Sequence, residues 1–569
     1  MSGFVDTFNE ILETVNGIIW DEMVLYVVMG VGVLFTLWSG FGQYRALTHG
    51  TAVTLGRYDD DDHGDGAISH FQALSAALSA TVGLGNIGGV AVAIAIGGPG
   101  AVFWMWMVGI VGMALKSTEV TQSMLFRKTD DADNPSGGPM WVVTRGSADK
   151  GPLLAGLGKA LGVTFCITLL ISSVTGGNMF QAWNVADVTF TEFGMNKQLT
   201  GIILAVLVAA VILGGIKRIG QVAGTLVPLM CGIYLVAAIY VLIQTYEQIP
   251  AVFGLIMDGA FNPVGAQEAF LGGTMGYAFL WGMKRALFSS EAGQGSSPIA
   301  HSAARTSEPV REGVVAGLEP FIDTLVVCTL TALVLLSSGA WNRGAEATFD
   351  TAPQVVAGAD AGTWTLSASA ATAPGKTRKA ESIGGTWKPG QAVFMLYEGE
   401  EVQGQGTNMH RIMGTIQPAE GNVFSIKWDA VKSKTQPKLV NNGLYVDYVA
   451  ASLTSYAFNS VTPGLGTWLI TIAAWLFALS TMISWSYYGE QGIVYLFGNK
   501  AVLPYKLIYC ALIFAACSGL VSTTTELSNL TDLGTGVMLW ANIPIMLLFA
   551  PRAMKAWHGY FARMKARKA

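Results

Sequence analysis

The stretch TVGLGNIGGVAVAIAIGGPGAVFWMWMVG, Thr81–Gly109, decides how the rest of the chain reads. It contains two apolar helices meeting at a glycine hinge, and the first is itself interrupted by GLGNIGG at residues 83–89. Lipid offers no water to freed amides and carbonyls, so broken backbone at membrane depth is tolerated only within protein or against a polar cavity. A broken helix there points to an ion and solute site.

The composition around this stretch supports that setting. The 569 residues are 51% hydrophobic and 12% charged, about half the charge of an ordinary soluble domain. Apolar runs recur at roughly the 20 residues needed to cross about 30 Å of hydrocarbon. The fold class is therefore an all-α polytopic membrane protein. Eleven spans are expected, at Met23–Gly42, His70–Ile96, Ala101–Leu125, Leu161–Val188, Leu199–Gly215, Gln221–Ile243, Ala269–Leu287, Val314–Ser338, Thr462–Ser486, Leu503–Val521 and Gly534–Ala550. With the N-terminus outside, the cytoplasmic segments collect nearly all the loop Lys and Arg, from Arg127 and Lys128 to Arg563 and Lys568 in the tail, whereas the short outer loops hold little beyond Lys197. The positive-inside rule then places the C-terminus in the cytoplasm. The N-terminus lacks the basic start and cleavage pattern of a signal peptide. The net charge of −5 says little, and the five cysteines lie in apolar runs without metal spacing.

Between the eighth and ninth spans the composition turns to Thr, Ser, Lys and Gly. The segments TWTLSAS, AVFMLYEGE, NVFSIKWDAV and GLYVDYV alternate with the period of strands. A small β-rich extracytoplasmic insertion is expected over 339–452. The acidic run DDDDHGDG, Asp59–Gly66, reads as a solvated loop, with a divalent-ion site as the weaker alternative.

Without the first span, ten remain, dividing five and five. The first helix of the second five, EAFLGGTMGYAFLWGMKRALF, carries Gly272, Gly273, Gly276 and Gly282. Glycine-interrupted first helices in both halves of an inverted repeat are the best sequence pointer to a transporter site. The domains are then 1–69, the extra helix and acidic loop; 70–245, the first repeat; 246–338, the start of the second; 339–452, the insertion; 453–550, the end of the second repeat; and 551–569, a basic tail.

Unwinding the first break frees carbonyls of Ser79 and Val82, suited to a small hard cation, and amides at Leu84 and Gly85, suited to a carboxylate. Asn86 adds a side-chain amide. In the ninth span Ser480 and Thr481 stand side by side, with Trp485 one turn on. Their hydroxyls suit a cation, or back-bond to a carbonyl one turn earlier; Trp485 closes a pocket or anchors at the interface. Asn178 and Gln181 are polar at membrane depth, serving a zwitterion or hydrogen bonds between helices. Asp323, Lys116, Glu119, Lys284, Arg285 and Glu291 are charges in apolar surroundings, functional suspects by default. The six histidines form no HExxH pair, and no phosphate-binding GxxxxGK[ST] run exists. Enzyme chemistry is not indicated.

The run Ser75–Lys128 resembles the alanine or glycine:cation symporter family, whose hallmark GG-x-G-A-x-FWMW stands here as Gly97–Trp106. KRALFSSEAGQGSSP (Lys284–Pro298), CTLTALVLL (Cys328–Leu336) and FALSTMISWSYYGE (Phe477–Glu490) extend the likeness over nearly all the membrane part, but not the insertion. The resemblance implies a fold similar to the sodium:neurotransmitter symporters, with VGLGN (Val82–Asn86) in the first core helix. It implies Na⁺ at the Ser79 and Val82 carbonyls and the Ser480 and Thr481 hydroxyls. Around the amino acid it implies Asn86, Gln181 and Trp485, beside Leu84, Gly85, Gly273 and Gly276 from the two breaks. Where Leu84 stands the family often has Thr, so a hydroxyl is missing here. The implied activity is Na⁺-coupled import of a small neutral amino acid, alanine or glycine, by alternating access in the cell membrane. The implied partners are that amino acid, Na⁺ and the bilayer, with no nucleic acid and no cofactor beyond the coupling ion. The alternatives are H⁺ coupling, another solute in the same fold, or a sensor without transport that uses the insertion.

Overall fold

The structure, a computed structural model, describes residues 2–58, 64–131, 135–261, 275–399, 409–418, 424–520 and 524–568. Asp59–His63 of the acidic run and Gly272 and Gly273 lie outside the described residues.

Helix α1 (Ser2–Ile19) precedes the long helix α2 (Glu22–Trp38), which Asp21 caps by accepting from the Met23 amide. The broken helix follows as α3 (His70–Thr81) and α4 (Val90–Gly97). A reciprocal capping box between Ser69 and Gln72 starts α3. The two halves are bent by 50° across Val82–Leu84 and a π-helical turn, Gly85–Gly89. Helix α5 (Ala101–Phe126) then crosses. Helices α6 (Pro152–Val174) and α7 (Phe180–Phe193) form a continuous rod interrupted by a second π-turn, Thr175–Met179. Helices α8 (Lys197–Ile212) and α9 (Gly215–Gln244) complete the first half.

The second half begins with α10 (Met275–Ser290), then the short α11 (Ser297–His301) and α12 (Pro309–Ala316). A third π-helical stretch, Phe321–Cys328, leads into α13 (Thr329–Ser337). After the insertion come α14 (Ala451–Val461), the 33-residue α15 (Leu465–Phe497), α16 (Val502–Ala515) and α17 (Thr524–Lys568).

Among the described residues eight helices are long and apolar enough to cross a bilayer, and the bent pair α3–α4 makes nine. Helix α8, 16 residues long, and α10 stand where two further spans are expected. The sequence does not foretell α14, which lies between the end of the expected insertion and the expected start of the ninth span at Thr462. The glycine cluster of the seventh span also behaves differently from expectation. Gly276 and Gly282 lie within continuous α10, and the interruption comes after it, at Glu291–Ser296. Glu291, Gly293 and Gly295 there adopt φ of +53°, +81° and +79°. Gly282 serves close packing instead: a Cβ would stand 2.4 Å from the Ala101 carbonyl oxygen of α5.

The insertion is β-rich. Its strands are β1 (Ala347–Thr348), β2 (Val355–Ala357), β3 (Thr363–Leu366), β4 (Ala392–Glu398), β5 (Met409–Pro418), β6 (Phe424–Trp428), β7 (Val431–Lys432), β8 (Lys438–Leu439) and β9 (Gly443–Val446). One sheet runs β1-β9-β4-β5-β6 with β8 also on β4; the other runs β2-β3-β7. All the pairings are antiparallel, with Phe394 opposite Met413 and Tyr445. Both faces of β4 are covered: Val393, Met395 and Tyr397 enter the main core, while Phe394 stacks on Tyr445 at 5.3 Å under the Arg411 guanidinium. The Lys388 ammonium fastens the insertion to the end of α7 by donating to the Thr191 and Glu192 carbonyls.

Candidate functional site

The first break is held open by its own asparagine. The Asn86 Oδ1 accepts from the Gly83 amide at 2.8 Å, and the Asn86 amide donates to the Gly83 carbonyl at 3.1 Å. In a continuous α-helix those two amides would serve the carbonyls of Ser79 and Val82. Both carbonyls therefore lose their helical donors.

Helix α15 lies across this opening. The Ser79 hydroxyl donates to the Ser480 carbonyl at 2.8 Å, and the Ser480 hydroxyl back-bonds to the Phe477 carbonyl at 2.8 Å. Thr481 differs: its Oγ1 is buried and makes no hydrogen bond. It faces the break so closely that a Cβ on Gly83 would stand 2.5 Å from it. Trp485 is 5% exposed and is not an interfacial anchor. Its ring lies on the second π-turn, where a Cβ at Gly177 would come within 2.3 Å of its Cγ.

Gln181 joins the two breaks. Its Oε1 accepts from the Leu84 amide at 3.3 Å and its Nε2 donates to the Gly176 carbonyl at 3.1 Å. Asn178 points elsewhere, donating to the Tyr509 carbonyl. Phe288, which the sequence reading did not single out, fills the space among these turns. It stands 3.3 Å from where a Gly85 Cβ would be, 3.1 Å from a Gly176 Cβ, and edge-on to Phe180 at 5.1 Å. Asn86, Gln181, Ser480 and Thr481 are likewise buried. Gly276 belongs to α10, and Gly273 lies outside the described residues.

Asp323, unassigned from sequence, closes the arrangement. Its carboxylate accepts from Asn86 Nδ2 and, at 3.0 and 2.9 Å, from the Ser289 hydroxyl; Thr324 adds a bond at 2.8 Å. A fully buried carboxylate thus rests on three neutral donors and ties the third π-stretch to the first break. Its position within an apolar span was the one available signal.

The remaining intramembrane charges fall into two groups. Lys284 and Arg285 lie well inside α10 rather than at a loop, and both meet Asp532 of α17, at 3.3 and 2.6 Å. Lys116 and Glu119 join a buried set with Glu319, His301, Glu312 and His70. The hallmark FWMW run packs helices together: Trp104 meets Phe279 of α10 edge-on at 4.8 Å, and the Trp106 indole donates to Thr329 at 2.8 Å.

Sequence comparison with known proteins identifies the family. The sequence model of the sodium:alanine symporter family matches residues 5–369 and 438–569, omitting the central part of the insertion. The sodium/alanine symporter AgcS of Methanococcus maripaludis is 33% identical over 95% of both chains. A putative sodium/proton-dependent alanine carrier protein, YrbD of Bacillus subtilis, is 30% identical over 98% of this chain and 93% of its own. A probable sodium/glutamine symporter, GlnT of the same organism, is 34% identical over 58% of this chain and 65% of its own. Broken helices meeting at buried oxygens, and a match over both halves of the membrane part, make this chain a multi-pass transporter, not an enzyme, and a member of the sodium:alanine symporter family.

Proposed function

We propose that the protein imports a small neutral amino acid, alanine or glycine, together with Na⁺ by alternating access. The observation that carries this reading is the meeting of α15 with the first break. The buried Thr481 hydroxyl without a hydrogen bond faces Gly83, beside the carbonyls of Ser79 and Val82 that lack helical donors. Unwound carbonyls and hydroxyls are the donor set of a small hard cation. Ser79, Val82, Ser480 and Thr481 hold Na⁺ as co-transported cargo. Ser480 offers a lone pair, its proton being committed to Phe477.

The amino acid binds between the two π-turns. Amides of Leu84 and Gly85 receive its carboxylate, Asn86 and Gln181 orient it, and Trp485 and Phe288 limit its size. The close packing of Phe288 and Trp485 on Gly85, Gly176 and Gly177 supports a small side chain. Na⁺ binding draws the first break against α15 and so completes the amino-acid site, which is the source of coupling.

The membrane part reads as eleven spans, one extra helix followed by a 5+5 inverted repeat similar to the sodium:neurotransmitter symporters, with domains as divided above. The N-terminus lies outside and the C-terminus in the cytoplasm, in the cell membrane. Three of the five π-helical stretches among the described residues, in α3–α4, α6–α7 and α12–α13, support a transport core because irregular backbone lines the route of a solute.

The test is uptake of labelled alanine into proteoliposomes under an inward Na⁺ gradient against an equal choline gradient. Concentrative uptake with Na⁺ alone is expected. Uptake driven by a pH gradient instead would replace the coupling ion, and binding without flux under either gradient would replace transport by sensing.

A further inference from the structure

A buried chain of ionisable groups runs beneath the site and plays no part in binding the amino acid or Na⁺ as proposed. His301 lies in the connection after the second break, and both of its ring nitrogens meet carboxylates. Nδ1 is 2.5 Å from Glu312 Oε1 and Nε2 is 2.8 Å from Glu319 Oε1. The other Glu312 oxygen meets His70 Nδ1 at the start of α3. Glu319 also accepts from the Ser297 hydroxyl at 2.6 and 2.8 Å and pairs with Lys116 at 3.2 Å. Glu119 accepts from the Gly295 amide and from Asn542 of α17. His70, Lys116, Glu119, His301, Glu312 and Glu319 are all 2% exposed or less.

A neutral imidazole donates from one nitrogen and accepts at the other. Two ionised carboxylates offer only lone pairs. A neutral His301 between them would set a ring lone pair against a carboxylate lone pair in a dry interior, where such an error is costly. The geometry is satisfied when both nitrogens donate, that is, when the ring carries an extra proton. The titratable groups around it are Glu312 of α12 and Glu319 of the turn after it, which it meets directly, His70 of α3, which reaches it through Glu312, and Lys116 of α5, which reaches it through Glu319 and lies near Glu119. Arg311 of α12 stacks over Tyr58, and Arg127 at the end of α5 is spent on the carbonyls of Ser302 and Ala304. Burial by itself lowers the proton affinity of His301, but hydrogen bonds and charge from Glu312 and Glu319 prevail and hold it up at about 9.

The chain joins the foot of α3, the first broken helix, to the connection that ends the second break. Opening a path inward must part these elements. We propose that His70, Glu312, His301 and Glu319 form a proton-binding latch on the inward gate, with the proton on His301 while the gate is closed and released to cytoplasmic water when it opens. The inference rests on the transport reading and on its orientation. Acid on the cytoplasmic side holds the gate shut, and alkali loosens it.

The experiment has two parts on the full-length chain. First, ¹⁵N spectra of histidine-labelled protein in detergent, free of Na⁺ and alanine, are followed from pH 6 to 10. One doubly protonated ring is expected to persist above the ordinary histidine range of about 6.5. Its signal should vanish in His301→Gln, and in Glu319→Gln its midpoint should fall by about one unit or more. If His301 is neutral at pH 7, the latch is overturned. Second, alanine exchange by oriented proteoliposomes is measured against internal pH at fixed external pH. The rate should rise several-fold between pH 7 and 9, and folded His301→Gln should flatten that rise. A wild-type profile independent of internal pH also overturns the latch. Should His301→Gln fail to fold, the Glu319→Gln spectrum decides alone. Absence of exchange at every pH would instead refute the transport reading and leave the spectra to judge the proton.

Discussion

Replacing Thr481 by Val separates the folding of α15 from its proposed work on Na⁺. The substitution keeps the branched shape and removes one hydroxyl. That hydroxyl is buried without a hydrogen bond, and a buried polar group left unpaired costs about 1–3 kcal/mol. The Na⁺-free fold of Thr481→Val should therefore be at least as stable as the wild type. A hydroxyl oxygen facing a cation, by contrast, contributes on the order of 1.5–3 kcal/mol, the range for hydrogen bonds to charged groups. At 1.4 kcal/mol per tenfold, its loss raises the Na⁺ concentration for half-maximal uptake about 10- to 150-fold. The assay is initial alanine uptake by proteoliposomes across a Na⁺ series, with thermal unfolding of Na⁺-free protein alongside. Ser480→Ala should raise the Na⁺ requirement similarly, because its hydroxyl donates to Phe477 and keeps its lone pairs for the ion, but it should also cost the Na⁺-free fold that hydrogen bond. An unchanged Na⁺ requirement in well-folded Thr481→Val would refute the assignment, and so would clear destabilisation without Na⁺, since the hydroxyl would then have had a structural partner.

Asn86→Leu strands the Gly83 amide and removes a donor from the buried Asp323 carboxylate, so we expect about 3 kcal/mol or more of destabilisation and no uptake; a normal melting temperature would contradict the bonding described. Gly177→Ala places a methyl within 2.3 Å of Trp485 Cγ, and the displaced ring should weaken alanine binding by about 1–3 kcal/mol, read as a raised KM with little change in Na⁺ requirement. Asp532→Asn leaves Lys284 and Arg285 without their carboxylate; breaking such a buried pair costs about 3–5 kcal/mol, measured as a lowered unfolding temperature in detergent. Heating full-length protein across a pH series tests His301. A proton affinity raised from 6.5 to about 9 in the fold contributes stability that is complete below about 6.5 and is lost as pH rises through about 9, and His301→Gln should lack that alkaline loss.

Much of the membrane architecture is legible because lipid constrains it so strongly. Apolar length marks spans, and a polar or glycine-rich interruption stands out against them. The first break is such a case: GLGNIGG lies where α3 and α4 separate, and Asn86, its one amide side chain, holds the break open. The strands TWTLSAS, AVFMLYEGE, NVFSIKWDAV and GLYVDYV appear as β3, β4, β6 and β9 because alternation survives wherever one face is covered. The longest strand, β5, carries Arg411 and His410 among its apolar residues and blurs that alternation; Arg411 is half-buried against Phe394 and Asp447, partners that only the folded sheet provides.

The second break shows the opposite case. Four glycines in the seventh span imitate the first break, yet those described lie in continuous helix. Glycine serves close packing as readily as unwinding, and the local sequence does not distinguish the two. The Ala101 carbonyl on the neighbouring helix decides for Gly282.

The sequence by itself therefore determined the class of protein, its family likeness, the first interruption, and the residue types suited to a cation and an amino acid. Periodicity, hydropathy and short motifs are local properties, and these conclusions need nothing more. Tertiary structure alone decided that Thr481 faces Gly83 while Ser480 turns back on its own helix, that Asp323 grips Asn86 across 237 positions of chain, that Phe288 fills the space between two π-turns, and that His301 stands between two carboxylates. Each depends on which distant helix supplies the opposing atom, and in a bundle that is set by the packing of all the helices together.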